Sequence, residues 1–451
     1  MSAWLVTVRR KRLTLLGAGL ALLLGLWVLS SLVVPHRDLC VEAIHKRGYP
    51  ATPAELDAWY LSVPPAENAA LVYTNAFGLL TNTTGSLTNF TSKSWLPPIG
   101  QGLSSEEQSE LKAVLAESQP ALRLLYSAPV LGRSRYPIHF QNWPAMLLPH
   151  LGKIKQAVSL LSAEALLHAT EGDAEKATQA FLATGRLADS LSEEPIPISQ
   201  LVRYADWDIL LSRLERALCL TAFTDRELAS LQEAVEAAER PRAMARTWGG
   251  ERAMHLSIYT DRKMMEVVFR EGFKSGSRVA PFLAAACSGL FRATGLLQKD
   301  EASFCDRMEM YVGASELPYP ARFAATQQLA TMTNLPSPLY IFSRLLLPPG
   351  QVQVRDANHV AHVRVAVAAL AVERFRLAHT NASPETLEQL APTCCKAMAA
   401  NPFDGRPLRY KTHGASYVVY SVGSDGQDEG GVVWDSNYLK VPGDVSFVVK
   451  H

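Results

Sequence analysis

Three groups of side chains in this sequence have spacing that chemistry can use. The first is Ser424-Asp425-Gly426-Gln427-Asp428-Glu429-Gly430-Gly431. Calcium takes about six to eight oxygens, and closely spaced carboxylates on a glycine-rich turn supply several of them. Asp425, Asp428 and Glu429 are therefore read as candidate calcium ligands, with Asp435 or Asp444 returning from downstream. The spacing is not that of an EF-hand, because no Glu stands at the last ligand position counted from Asp425. The competing reading is a solvated acidic turn between strands. A calcium ion bound there would fix the loop rather than do chemistry.

The second group is His359 and His362, three apart on one helical face, with Asp356 nearby in sequence. Two such histidines are half a metal site, but no third and fourth ligand is evident and HExxH is absent. A pair of surface or core histidines is the favoured reading. The third group is Glu251, Arg252 and His255, preceded by Arg240, Arg242 and Arg246. Such a cluster can line a polar cleft, although charges on a long helix usually form a solvated face with local pairs. No G-x-S-x-G elbow, P-loop or dinucleotide fingerprint is present, so no catalytic residue is named.

The elements that would hold these groups are mostly helices. Ala54 to Leu61 and Asn68 to Leu80 have helical patterning, and Thr81 to Gly102 reads as a long surface loop. Ser104 with Glu107, and Thr224 with Glu227, form capping boxes that open helices. Ile154 to His168 is apolar at helical spacing and stops at Glu171-Gly172-Asp173. Asp173 then caps a second helix carrying Ala177, Phe181 and Leu187. So short a turn packs the two helices antiparallel, like one tetratricopeptide unit, but no steady repeat follows. His359 to His379 is a further helix, and Ser383 is read as the cap of a short one opening at Pro384. After Pro402 the pattern alternates. Leu408 to Tyr410, Tyr417 to Tyr420 and Ser446 to Lys450 are strand-like, with Gly414 in the first turn. The expected fold is mainly α, an irregular antiparallel helical body that is partly tetratricopeptide-like. A small C-terminal antiparallel β-sheet follows it, and one N-terminal transmembrane helix precedes it. The expected boundaries are a basic tail at 1–12, the transmembrane helix at 13–34 and a stalk at 35–103. A helical domain at 104–335 and a helix-plus-sheet unit at 336–451 complete the chain.

The membrane expectation rests on Leu13 to Val34, a run without one charged side chain that follows Arg9, Arg10, Lys11 and Arg12. At about 1.5 Å per residue such a run crosses the hydrocarbon core. The basic block places the N-terminus in the cytoplasm and the rest outside it. The run is longer than the apolar region of a cleaved signal peptide and lacks Ala-x-Ala, so it is read as a retained anchor of a bacterial inner membrane. A second apolar stretch, Val279 to Leu297, contains Pro281 and Arg292 and is read as a buried helix. The chain has 451 residues, 48% of them hydrophobic, with 44 Lys+Arg against 43 Asp+Glu. That balance excludes nucleic acid as a principal partner. Of six cysteines in an exported chain, Cys287 and Cys305 are a candidate disulfide. The adjacent Cys394 and Cys395 are read as two thiols or as halves of separate bridges.

The stretch Ala368 to Gly431 resembles the globular part of the major pseudopilins of type II secretion. The residues that carry the likeness are Leu370 to His379, Asn401-Pro402-Phe403-Asp404-Gly405-Arg406-Pro407-Leu408-Arg409-Tyr410, and Tyr417 to Gly426. The resemblance implies a helix packed on a small sheet, with Ser424-Asp425-Gly426 near a calcium site. In that family the helix continues directly from the membrane segment, whereas here more than three hundred residues separate the two. The basic block is also not followed by Gly-Phe-Thr-x-x-Glu. The whole chain resembles a loosely defined group of uncharacterised bacterial envelope proteins with an anchor, a helical middle and this tail. The echoing segments are Asn68 to Tyr73, Glu171 to Glu175, Ile198 to Arg203 and Gly249 to Ala253. That likeness implies an architecture and no activity.

Three functional expectations follow. The first is a binding or structural envelope protein whose helical body offers a groove to a protein partner. The second is a membrane-tethered hydrolase with its site in that body, and the third is an accessory of a type II secretion-like machine. A deep cleft with convergent Glu, Arg and His favours the enzyme, and a shallow apolar groove favours the binding module.

Overall fold

The structure is a computed structural model that describes residues 36–80, 95–261, 263, 265–266, 289, 291–332, 340–433, 439–440 and 443–451. The expected anchor at Leu13–Val34, residues 81–94 of the expected loop and most of the second apolar stretch lie outside the described residues. No helix among the described residues is long and apolar enough to cross a membrane.

The chain enters through α1 (His36–Lys46), α2 (Pro53–Trp59) and α3 (Ala69–Leu79). The buried Asn68 opens α3. Its Oδ1 accepts the N–H groups of Ala70 and Arg135, and its amide donates to the Arg135 carbonyl, so one side chain satisfies both strands of the joint. Next come α4 (Ser105–Glu117) and α5 (Gln119–Ser127), the former opening with the expected capping box.

The antiparallel pair is α6 (Pro149–Thr170) and α7 (Ala174–Asp189). Gly172 sits at φ +81 in the turn, a conformation that a side chain disfavours. Asp173 caps α7 by accepting the Lys176 N–H at 3.0 Å. α8 (Pro197–Leu220) lies across both. It approaches α7 so closely at Gly185 that a Cβ there would stand 3.0 Å from the Trp207 ring.

α9 (Asp225–Glu236), again with its capping box, is followed by α10 (Ala243–Leu256), α11 (Leu296–Glu316), α12 (Ala321–Thr331) and α13 (Ile341–Leu346). α14 (Gly350–Ala378) is longer than the His359-to-His379 helix read from the sequence and packs on α8 and α9. Ser383 does not cap a helix. The following turn is a short 3-10 segment, Leu387–Leu390, and the Ser383 hydroxyl accepts from Arg376 instead.

The sheet is antiparallel in the order β1 (Arg409–His413), β2 (Ser416–Ser421), β5 (Val445–Val449), and β3 (Val432–Val433) pairs with β4 (Leu439–Lys440) beside it. The register places Tyr410 opposite Val419 and Val419 opposite Phe447. Both faces of β2 and β5 are buried. Tyr417, Val419, Phe447 and Val449 join the main core with α14, while Val418, Tyr420 and Val448 pack on Ile99 and Val432.

One hydrophobic core thus runs from α3 through α9 into α14 and the sheet. A second gathers α1, α10, α11 and the start of α13. The two cores differ from the cysteine expectation at one point. Cys305 of α11 is bonded to Cys40 of α1, not to Cys287, which lies outside the described residues. α1 packs on α11, and this contact across the length of the chain brings the two sulfurs together. Cys219, Cys394 and Cys395 are free thiols.

One residue of the core has no counterpart. Asp206 on α8 is fully buried, and neither carboxyl oxygen has a hydrogen-bond partner. Burial raises its pKa well above the ordinary carboxylate value, against the lowering pull of Lys155.

Candidate functional site

The last residue of α7, Asp189, is the hub of the most built polar region. Its Oδ1 accepts from Arg203 Nε at 2.8 Å and from the Trp207 indole at 3.0 Å, and its Oδ2 accepts from Arg240 at 3.2 Å. Arg203 is 1% exposed and also donates to the Ala238 carbonyl. Two guanidinium groups and an indole therefore hold one carboxylate ionised and below its ordinary pKa despite its burial. The consequence lies on the outer side. A cleft of about 400 Å³ opens there, lined by Arg133, Arg186 and Arg240, by Ser134, Ser190 and Ser192, by Tyr73 and by Asp189 and Glu193. A second cavity of about 440 Å³ shares Arg186, Asp189 and Arg240 as its wall.

Both acidic groups of the cleft are already engaged, Asp189 as above and Glu193 with Arg246 at 3.6 Å. Arg133 and Arg186 make no ion pair among the described residues. Ser190 is committed to the Leu187 carbonyl and to Tyr136, leaving the hydroxyls of Ser134 and Ser192 to a guest. Behind the wall the imidazole of His150 bonds Glu194 at 2.9 Å and stacks on Tyr136. This region can recognise a polar guest that carries negative charge.

The cluster read at Glu251, Arg252 and His255 is dispersed in part. Arg240 turns to Asp189, and Arg246 lies over the Trp59 ring at 4.0 Å. Arg242 is the exposed residue before α10. Arg252, fully buried, donates to Glu309 at 2.7 Å, and Glu309 and Glu316 are both bound by Arg47. Glu251 and His255 do meet, with Oε1 and Nε2 3.2 Å apart. Burial raises the Glu251 carboxyl to about 7 and lowers the His255 imidazole to about 4. Both are neutral over a range in which an exposed pair would be charged. The Trp143 and Phe304 rings flank the imidazole.

In the tail loop the three expected carboxylates have different fates. Asp428 is taken: Arg409 donates to it at 2.8 Å, and Tyr420 and the Gly430 N–H donate to its other oxygen. Asp425 and Glu429 converge instead. Carboxylate oxygens of both lie within 3.2 Å of the point where a Cβ on Gly443 would stand. Asp444 is beside them and accepts the Gly431 N–H at 2.7 Å. Confinement and the neighbouring carboxylates raise the pKa values of Glu429 and Asp444 above the ordinary range. Asp435 lies outside the described residues. The donor set fits calcium in chemistry, with Asp425, Glu429 and Asp444 as the carboxylates that would hold it. No assembled group of three or more metal-ligating side chains is present among the described residues.

The histidine pair is separated by its partners. His359 is buried, stacks on Tyr204 at 4.4 Å and is pushed down to about 3 by burial. His362 faces Asp208 at 2.7 Å. Asp356 accepts from Tyr204 at 2.7 Å and from Tyr319 at 2.6 Å. These residues knit α8, the segment before α12, and α14 together. The cleft residues Arg133, Arg186 and Asp189 were not visible as a group because they come from separate elements. The legible signal was Arg203, a charge at core spacing between the apolar positions of α8.

No family model, characterised protein or solved structure matches this chain.

Proposed function

We propose that the protein is a binding protein held at the outer face of a bacterial inner membrane by Leu13–Val34, with its guest in the arginine-lined cleft of the helical body. The observation that supports this reading is the construction of the cleft. Its guanidinium groups come from α7 and from the segments after α5 and before α10, and the carboxylates beside them are paired with Arg203 and Arg246. Recognition sites need groups fixed before the guest arrives, and such backing supplies it. The cleft is polar, not the apolar groove first expected of a binding module, so its occupant is charged or hydroxylated. The pseudopilin-like tail serves as a brace, its sheet sharing the main core with α14.

A photo-crosslinking residue at Ser134 of the full chain, in its own membrane, tests this reading. A discrete adduct there, absent when the residue is placed at the exposed Leu147, is expected. Equal labelling at both positions, or none at either, contradicts it.

One observation favours the second reading, a membrane-tethered hydrolase. Glu251, at about 7 and beside His255, is poised to exchange a proton near neutral pH. On that reading Glu251→Gln abolishes a hydrolytic activity on envelope material and Arg186→Gln leaves it intact.

A further inference from the structure

We propose that the cleft between Arg133, Arg186 and Arg240 binds a phosphate group borne by a small hydroxylated molecule. This inference rests on the reading of the helical body as a binding module and names the chemistry of its guest.

Two carboxylates line the cleft and each is already paired, so neither presents free negative charge to a guest. Against them stand three guanidinium groups from three elements: the segment after α5, the body of α7 and the loop before α10. Arg133 and Arg186 make no ion pair among the described residues, and Arg240 is aligned by Asp189. A cation finds no free acceptor charge here. An anion finds three arginines lining one cavity.

Shape separates the anions. A carboxylate presents two oxygens in one plane, the shape that a single guanidinium fork matches. A phosphate presents three outer oxygens in a tetrahedron and accepts from several guanidinium groups at once. Donors on three separate elements match the second pattern. The cleft is larger than a bare phosphate, at about 400 Å³. The spare hydroxyls of Ser134 and Ser192, with the apolar edges of Leu61 and Pro129, leave room for a small polyol attached to the phosphate.

The test uses the purified full chain in detergent, titrated calorimetrically with inorganic phosphate and with glycerol 3-phosphate at low ionic strength. Saturable binding is expected, tighter for glycerol 3-phosphate and weakening as salt is raised. Arg186→Gln and Arg133→Gln each weaken it at least ten-fold while leaving the melting temperature unchanged, since both side chains are exposed and unpaired. Lys396→Gln, in a different groove beside α14, binds as the parent does.

Absence of saturable binding to both probes overturns the proposal. So does undiminished binding by the double arginine variant, or equal weakening by Lys396→Gln. An adduct at Ser134 without phosphate binding overturns the ligand class alone, whereas loss of both removes the binding reading itself. The same titration in nanodiscs of phosphatidylcholine with or without phosphatidic acid, whose headgroup is a phosphomonoester, assigns the source. Competition by phosphatidic acid identifies a lipid headgroup and its absence identifies a soluble ester, and each upholds phosphate recognition.

Discussion

The arginine-lined cleft and the tail loop are charged concavities of opposite sign, and they are built in opposite ways. In the cleft the compensating charge lies behind the wall. Asp189 is locked to the buried Arg203, and the outward guanidinium groups of Arg133 and Arg186 stay uncommitted. In the loop the compensating charge lies within the candidate ligand set. Arg409 has taken Asp428, and what remains is three neighbouring carboxylates, two of which have pKa values raised by desolvation and by adjacent negative charge. Counting charges along the sequence ranks the loop first. Partner geometry ranks the cleft first, because a charge available to a ligand is one the protein has not already paired.

The largest expected effect comes from breaking the hub. Asp189→Ala leaves Arg203 buried without its carboxylate, and such losses cost about 3–5 kcal/mol. Urea denaturation should show a lower midpoint with an unchanged slope. Asp428→Ala, which removes an exposed carboxylate and leaves Arg409 still paired with Asp404, should cost less than about 1 kcal/mol. Similar losses for the two variants would erase the contrast.

Calcium gives the next effect. If Asp425, Glu429 and Asp444 hold the ion, the melting temperature should rise by several degrees on going from chelator to calcium. Asp444→Asn should remove that rise, and Asp428→Asn should retain most of it. Identical melting with calcium and with chelator ends the calcium proposal.

A third test contrasts the partnered Asp189 with the unpartnered Asp206. The folded-state pKa of Asp206 is raised, so the unfolded chain releases this proton at lower pH than the native state does. Below the ordinary carboxylate pKa the group costs nothing in ionisation. Above it, stability falls with rising pH until the folded pKa is passed. Asp206→Asn should therefore gain on the parent at pH 8 compared with pH 5, by urea midpoints at both. A difference that does not change with pH would mean that Asp206 is ionised in the fold.

Much of the architecture was legible because it is local. The capping boxes at Ser104 and Thr224, the Asp173 cap and the hairpin turn at Gly414 all declare themselves within four residues. The segments echoing envelope proteins also acquired physical reasons. A Cβ on Gly249 would strike the Tyr49 ring and one on Gly250 the Pro195 carbonyl, so the first glycine lets α10 lie against the entry segment and the second against the segment before α8. What the sequence did not show is nonlocal. Cys40 and Cys305 are 265 residues apart, and nothing in their spacing distinguishes that pair from Cys287 with Cys305. Arg133, Arg186 and Arg240 are single charges on separate elements and read as solvated faces until the fold brings them to one cavity. In the tail, Arg409 lay within the quoted pseudopilin-like stretch, yet its reach to Asp428 depends on the pairing of β1 with β2.

The central claim is that the cleft of the helical body is where this protein meets its guest, through uncommitted arginines. The most direct measurement is the photo-adduct at Ser134 in the full, membrane-held chain, compared with the same chain carrying Arg133→Gln and Arg186→Gln. The account predicts a discrete adduct in the first and its loss in the second, with melting temperatures equal. An adduct of the same mass and yield in both chains would contradict it.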